Sequence, residues 1–279
     1  MLHRICAVLR QQSVRIALLA GVLSASLHGG AAKADALDAI VARGKLLVGT
    51  KADYPPFGFR DETGAVVGFE PDLALDIARK LGVALELVPV ATATRLPLLI
   101  DGKIDLVIAT MNDTPERRKQ VDFIEPSYYA SGVNVFAAKS EHLRLWQQLR
   151  GKSVCTIEGS FYIPEIKERY GPDITTFKST GEMYAALRQA SCAAIAYDDT
   201  ALIAQLQRAE WQQFEMPLRS ILVEPWGMAV RLGESRLEAV LSELARDWHR
   251  SGRIEALERK WKIPPSSFAE EMHRKLAEN

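Results

Sequence analysis

Short apolar runs alternate with amphipathic helical stretches along this chain, and the alternation occurs twice. Leu46 to Thr50, Leu85 to Val88 and Ile104 to Ala109 read as strands. Between them, Pro71 to Leu81 places Leu73, Ala74, Ile77, Ala78 and Leu81 on one helical face, and Arg95 to Leu99 forms a short second helix. Pro71 suits a first helical turn and Gly82 a helix end. The same order returns downstream: strands at Lys152 to Ile157, Ile174 to Phe177 and Ala193 to Tyr197, with helices at Phe161 to Tyr170, Gly181 to Ala190 and Asp198 to Arg208. A β-α-β-α-β order calls for a parallel sheet with helices on both faces, so the chain predicts an α/β protein of two similar lobes. Two extended segments, Gly132 to Ala137 and Ile221 to Val223 leading past Pro225 into Gly227 to Val230, connect the halves. Two crossings make the second lobe an insertion in the first. The expected limits are residues 35–134 and 224–279 for lobe 1 and 135–223 for lobe 2. The helices Leu237 to His249 and Ile254 to Trp261 return to lobe 1. Two lobes on two strands make a cleft with a hinge.

Residues 1–34 carry Arg4, Arg10, Arg15 and Lys33 and no acid. Arg10 and Arg15 precede the apolar run Ile16 to Leu23, and small residues follow up to Ala32-Lys33-Ala34. That is the order of a cleavable export signal, with cleavage expected after Ala34 and a periplasmic destination. The apolar run is shorter than the roughly 20 residues a bilayer span needs. Formal net charge is zero over 279 residues, which gives no electrostatic case for nucleic acid. Beyond the signal, Cys155 and Cys192 form an even pair in an exported chain, which points to one disulfide, the other reading being two buried thiols. Two distant cysteines without nearby histidines lack a metal ligand set, and neither metal nor cofactor is expected. His142, His249 and His273 fall on polar stretches and read as solvated.

In open parallel sheets ligands bind beyond the carboxyl ends of the strands. Those ends carry Tyr54 after the first strand, and Thr110 and Asn112 followed by Arg117 after the third. In the second half they carry Gly159, Ser160 and Phe161 opening a helix, and Asp198. An arginine fork pairs with a carboxylate, backbone N–H groups at a helix start favour an anion, an aspartate pairs with an ammonium, and an aromatic face covers an apolar body. A zwitterionic α-amino acid presents all of these features.

The stretches GTKADYPPFGF, VVGFEPDLALDIARKLGV, GKIDLVIATMNDTPERRKQVDF and LRGKSV resemble the extracytoplasmic solute-binding proteins of polar amino acid ABC importers. The likeness runs over nearly the whole chain beyond residue 34. It implies a two-lobed periplasmic-binding-protein fold (type II), no catalysis, and as partners an amino acid and a membrane permease, with the binding protein itself monomeric. By position it implies that Arg117 holds the ligand α-carboxylate and that Thr110 and Asn112 add hydrogen bonds. Tyr54 would stack on the ligand, Ser160 and Phe161 offer backbone N–H groups, and Asp198 takes the α-ammonium.

The chain also departs from the family pattern. Lys51 stands where an aspartate is common, and Thr92 where an aromatic is common. Ala93-Thr94-Arg95-Leu96-Pro97 resembles the variant of acidic amino acid binders, in which the arginine meets a side-chain carboxylate. Lys51 and Arg95 together point to a ligand with a second negative group, glutamate- or aspartate-like, with an opine-type derivative still open. Glu70 and Asp72 are the candidates for permease docking. The rival reading is a periplasmic enzyme on the same fold, such as a cyclohexadienyl dehydratase, with Glu158 as general acid and Lys51 assisting.

Overall fold

The computed structural model describes residues 35–277. The expected export signal, residues 1–34, lies outside them. The described chain opens with helix α1 (Ala36–Arg43), which Asp35 caps by accepting from the Leu37 N–H at 2.9 Å. Strand β1 (Lys45–Thr50) follows, then β2 (Asp53–Tyr54), β3 (Gly58–Arg60) and β4 (Val66–Val67). Helix α2 (Phe69–Leu81) leads to β5 (Ala84–Pro89), α3 (Arg95–Ile100), β6 (Leu106–Val107), the single turn α4 (Pro115–Arg118) and β7 (Val121–Phe123). The long β8 (Tyr129–Ala138) carries the chain into the second lobe. There β9 (Ser153–Ile157), α5 (Ile163–Tyr170), β10 (Asp173–Phe177), α6 (Thr180–Arg188), β11 (Ala194–Asp198), α7 (Asp199–Leu206) and β12 (Phe214–Glu215) follow. Strand β13 (Ile221–Trp226) returns it to β14 (Ala229–Arg231) and to helices α8 (Ser235–Arg250), α9 (Arg253–Trp261) and α10 (Ser267–Ala277).

The first lobe holds a sheet of order β5-β1-β6-β14-β7. Strand β1 is parallel to both neighbours, with Val48 opposite Leu87 on one side and Leu106 on the other. Leu46 and Val48 are fully buried, whereas in the edge strand β5 Leu85 and Leu87 are only half-buried and Ala84 and Glu86 face solvent. Helix α2 starts at Gly68, whose φ of 140° brings the chain so close to Phe57 that a Cβ there would lie 2.4 Å from the Phe57 carbonyl oxygen. It buries Leu73, Ala74, Ile77 and Ala78, the face read from the sequence, and stops at the left-handed Gly82.

The second sheet has the order β10-β9-β11-β8-β12, with β13 alongside β8. Strands β9, β10 and β11 are mutually parallel in their pairings and β8 runs antiparallel to β11. Because Cys155 sits in β9 opposite Ile195 of β11, Cys192 just before β11 is brought within 5.9 Å between Cα atoms, and the two form the expected disulfide. The chain crosses between lobes twice, and the crossing strands pair with each other: Tyr129 faces Trp226 and Ser131 faces Glu224. Under that crossing, Tyr54, Phe57, Phe69, Tyr129 and Trp226 pack ring to ring at 5.0–6.0 Å, mostly edge to face. Edge-to-face contacts of this kind add about 0.5–1.5 kcal/mol each beyond area burial, so the root of the hinge is anchored to lobe 1.

Three expectations are corrected, and two features are new. The strand read at Ile104 to Ala109 pairs only over Leu106–Val107, because Thr110 turns into the left-handed region at φ 48°. The small antiparallel sheet β2-β3-β4 and helix α10 have no counterpart in the sequence reading. His249 is fully buried rather than solvated, with Nε2 2.8 Å from the Ser127 carbonyl. Glu70 is also fully buried, and Asp72 is engaged by Lys260 at 2.6 Å and the Trp261 indole at 2.7 Å, so α9 is pinned to α2 and neither acid is a free docking charge.

Candidate functional site

The strand tips of the two sheets face one another across a narrow cavity. From lobe 1 it is lined by Thr92, Arg95, Thr110, Asn112 and Arg117. From lobe 2 come Ser160, Phe161, Tyr162, Tyr197 and Asp198. Seven of the eight site residues expected from the sequence therefore meet here. The void between them is about 10 Å³, room for about one water. A larger ligand enters only if the lobes part.

Arg117 points inward because of a one-turn helix. Thr114 caps α4 by accepting from the Arg117 N–H at 3.4 Å, and Pro115 occupies the first turn, where its missing N–H costs nothing. The guanidinium then donates to the Asn112 carbonyl at 2.8 Å and, across the cleft, to the Gly159 carbonyl at 3.4 Å. Burial and the nearby Arg95 lower its hold on its proton, whereas Asp198 opposes that. Arginine stays charged in such settings, so a buried cation with a like-charged neighbour favours an incoming anion. Arg95, at the start of α3, is 2% exposed and donates through Nη1 to the carbonyls of Ala109 and Thr110, while its Nε has no hydrogen-bond partner among the described residues.

Asp198 ends β11 and precedes α7, but its side chain makes no helix-capping bond. It accepts instead from the Tyr54 hydroxyl at 3.0 Å. Burial, above all, raises its pKa to about 7; Tyr54, Arg95 and Lys51 pull it down and Asp199 pushes it up. Tyr54 is thus placed differently from the stacking role expected of it. It does not line the cavity; its ring joins the aromatic cluster, and its hydroxyl reaches Asp198 and, at 3.2 Å, Thr200. Lys51 does not line the cavity either. Its fully buried ammonium pairs with Asp53 at 2.9 Å, so the inference that it faces the ligand is corrected. Glu158, the expected general acid of the rival enzyme, is exposed and outside the lining.

The sequence reading missed Glu70 as a support. Its Oε1 accepts from both the Thr110 N–H and the Tyr128 hydroxyl, and so holds Thr110 in its left-handed conformation at the cavity wall. Burial raises its pKa to about 7, against the lowering effect of Tyr128, Thr110, Arg95 and Lys51. Tyr162 and Tyr197 were also missed as lining residues. Tyr162 bonds Thr156 at 3.1 Å and the Ala196 carbonyl at 3.3 Å, which ties the two strand tips of lobe 2 together.

A model of the family described as bacterial extracellular solute-binding proteins, family 3, matches residues 46–264. The chain belongs to this family. It is 28% identical over 256 residues to the ABC transporter glutamine-binding protein GlnH of Bacillus subtilis (strain 168), which covers 88% of this chain and 92% of that protein. Among solved structures it resembles the P235GK mutant of ArgBP from T. maritima, with TM-score 0.77 and 32% identity over 82% of this chain and all of that one. It also resembles the ancestral amino acid-binding protein AncCDT-1, a precursor of cyclohexadienyl dehydratase, with TM-score 0.73 and 30% identity over 82% of this chain and 99% of that one. The architecture is accordingly the two-lobed periplasmic-binding-protein fold with the second lobe inserted into the first.

Proposed function

We propose that this protein captures an amino acid between its lobes outside the cytoplasm and presents it to the permease of an ABC importer. The observation that carries the reading is the convergence, on one cavity, of the Arg117 guanidinium from lobe 1 and the Asp198 carboxylate from lobe 2. An α-carboxylate and an α-ammonium are the two charges such a pair accepts. Arg117 holds the carboxylate, with Thr110, Asn112 and the N–H groups of Ser160 and Phe161 as further partners, and Asp198 takes the ammonium. Residues 35–134 and 224–279 act as one body and 135–223 as the other, closing about the paired strands β8 and β13. Residues 1–34 direct export and are removed after Ala34, and the mature chain works as a monomer.

The ligand in this reading is acidic. Two cationic side chains, Arg95 and Arg117, line the cavity against one acid, Asp198. An amino acid with a second carboxylate supplies the missing negative charge, and the unpartnered Nε of Arg95 supports that placement. The kinship leaves the ligand side chain open, since GlnH is named for glutamine and ArgBP for arginine.

The enzyme reading rests on kinship to a dehydratase precursor and has no acid other than Asp198 in the lining. Thermal unfolding of the ligand-stripped mature chain, against the amino acids and small dicarboxylates, tests the proposal, since a ligand of the folded state raises the midpoint. A rise with glutamate or aspartate supports it. A rise only with neutral or basic amino acids refutes the acidic ligand. No rise with any amino acid, together with turnover of prephenate or arogenate, replaces the binder by the enzyme.

A further inference from the structure

The lobes also touch through residues that do not line the cavity. Asp53, in β2 of lobe 1, faces the start of helix α6 in lobe 2. Its Oδ2 accepts from the Thr180 N–H at 3.1 Å, and its backbone carbonyl accepts from the Thr180 hydroxyl. Thr180 is the first residue of α6, so its N–H has no partner within the helix. The other carboxylate oxygen of Asp53 lies 2.9 Å from the ammonium of Lys51, which is fully buried. A buried ammonium needs a nearby counter-charge, and Asp53 supplies it within lobe 1 whether or not lobe 2 is near, by charge attraction rather than by a hydrogen bond. Helix α6 meets it only when the lobes are together. A carboxylate at a helix N-terminus gains both hydrogen bonding and the favourable end of the helix dipole.

We propose that Asp53, positioned by Lys51, is a closure latch that engages the N-terminus of α6 and sets how readily the lobes shut without reference to the ligand. The latch explains why a lysine occupies position 51 without facing the cavity. Its two bonds involve no cavity-lining residue, so it changes the open-to-closed ratio by one factor for every ligand. This rests on the capture reading above for its purpose, but not for its existence.

Asp53→Asn is a poor test, because it strips Lys51 of its counter-ion. Thr180→Ala removes only the hydroxyl bond and adds no atom. Thr180→Pro also removes the N–H, at a first-turn position where proline is well tolerated; Ser179 before it is already extended at φ −128°, ψ 153°, as a residue before proline requires. The readout is single-molecule energy transfer between dyes on the exposed positions Val41→Cys in lobe 1 and Leu145→Cys in lobe 2, without ligand. The expected result is an open-to-closed ratio raised about fivefold by Thr180→Ala and further by Thr180→Pro, with unfolding midpoints near wild type. Where an amino acid binds, its dissociation accelerates by a common factor for all ligands. An unchanged ratio in Thr180→Ala overturns the latch whatever the proline variant does, and so does a change in affinity that differs between ligands. If the wild type binds no amino acid, the capture reading fails while the energy-transfer ratio still decides the latch.

Discussion

Glu70 offers the sharpest test of how the cavity wall is held. It is fully buried, and one of its oxygens serves two donors, the Thr110 N–H and the Tyr128 hydroxyl, while the other has no hydrogen-bond partner among the described residues. Replacement by alanine strands both donors in a dry interior. Each stranded group costs about 1–3 kcal/mol, so the loss comes to about 4 kcal/mol. For a domain of this size each kcal/mol moves the midpoint by roughly 2–4 °C, which gives a fall on the order of 8–16 °C. Glu70→Gln keeps the shared acceptor, with its amide turned to the side that has no partner, and is expected to fall far less. Comparison with the glutamine variant, which cannot titrate, also exposes a pH signature of the wild type. The folded-state pKa of Glu70 is raised to about 7. Its protonated form is therefore favoured by folding, and that stabilisation is complete below the unfolded carboxyl pKa and is lost as pH rises through 7. Midpoints of wild type and Glu70→Gln, scanned by calorimetry at pH 5.5 and 8.5, should diverge, with the wild type losing more at high pH. An alanine variant within 2 °C of wild type, or a glutamine variant as damaged as alanine, would refute the reasoning.

Three further outcomes are expected. Gly159 has φ 80°, and a Cβ on it would lie 2.9 Å from the Ala93 Cα across the cleft; Gly159→Ala should hold the lobes apart and weaken ligand binding in titration by at least about tenfold, beyond the cost of placing alanine at positive φ. The disulfide closes a loop with sequence separation 37, so replacing Cys155 and Cys192 by serine should cost about 4 kcal/mol in denaturant unfolding by the chain-entropy relation. Asp198 has its pKa raised to about 7, and an ammonium ligand needs its charged form, so affinity for an amino acid should rise between pH 6 and 8, with protons released on binding; a flat profile would remove Asp198 from the ammonium site.

The alternation of strands and helices, the two crossings and the cleft were legible because apolar periodicity reports burial directly, as α2 shows with Leu73, Ala74, Ile77 and Ala78. Most of the lining residues were legible because strand tips are fixed by strand ends, although Tyr162 and Tyr197 were not. What failed were judgements about single polar side chains. Glu70 resembles an ordinary acid in the first turn of a helix, yet it is fully buried and bound to Thr110 and Tyr128. Lys51 reads as a cleft cation until Asp53, two residues on, is seen to take its charge. An aromatic at a strand tip has a free face to offer a ligand, but here three other rings and Asp198 claim that of Tyr54. His249 was within reach of the sequence: Leu237, Leu241 and Ala245 precede it in steps of four, which places it on the buried stripe of α8. The strands of the β2-β3-β4 sheet are two or three residues long and too short to show a period.

The central claim is that Arg117 clamps the α-carboxylate shared by every amino acid. Isothermal titration of L-glutamate into the mature protein and into Arg117→Ala tests it most directly. Loss of a buried, charge-assisted pair predicts at least about a hundredfold fall in affinity, with the variant still folded. Equal affinity in the two proteins would contradict the account and move the ligand away from the cavity between Arg117 and Asp198.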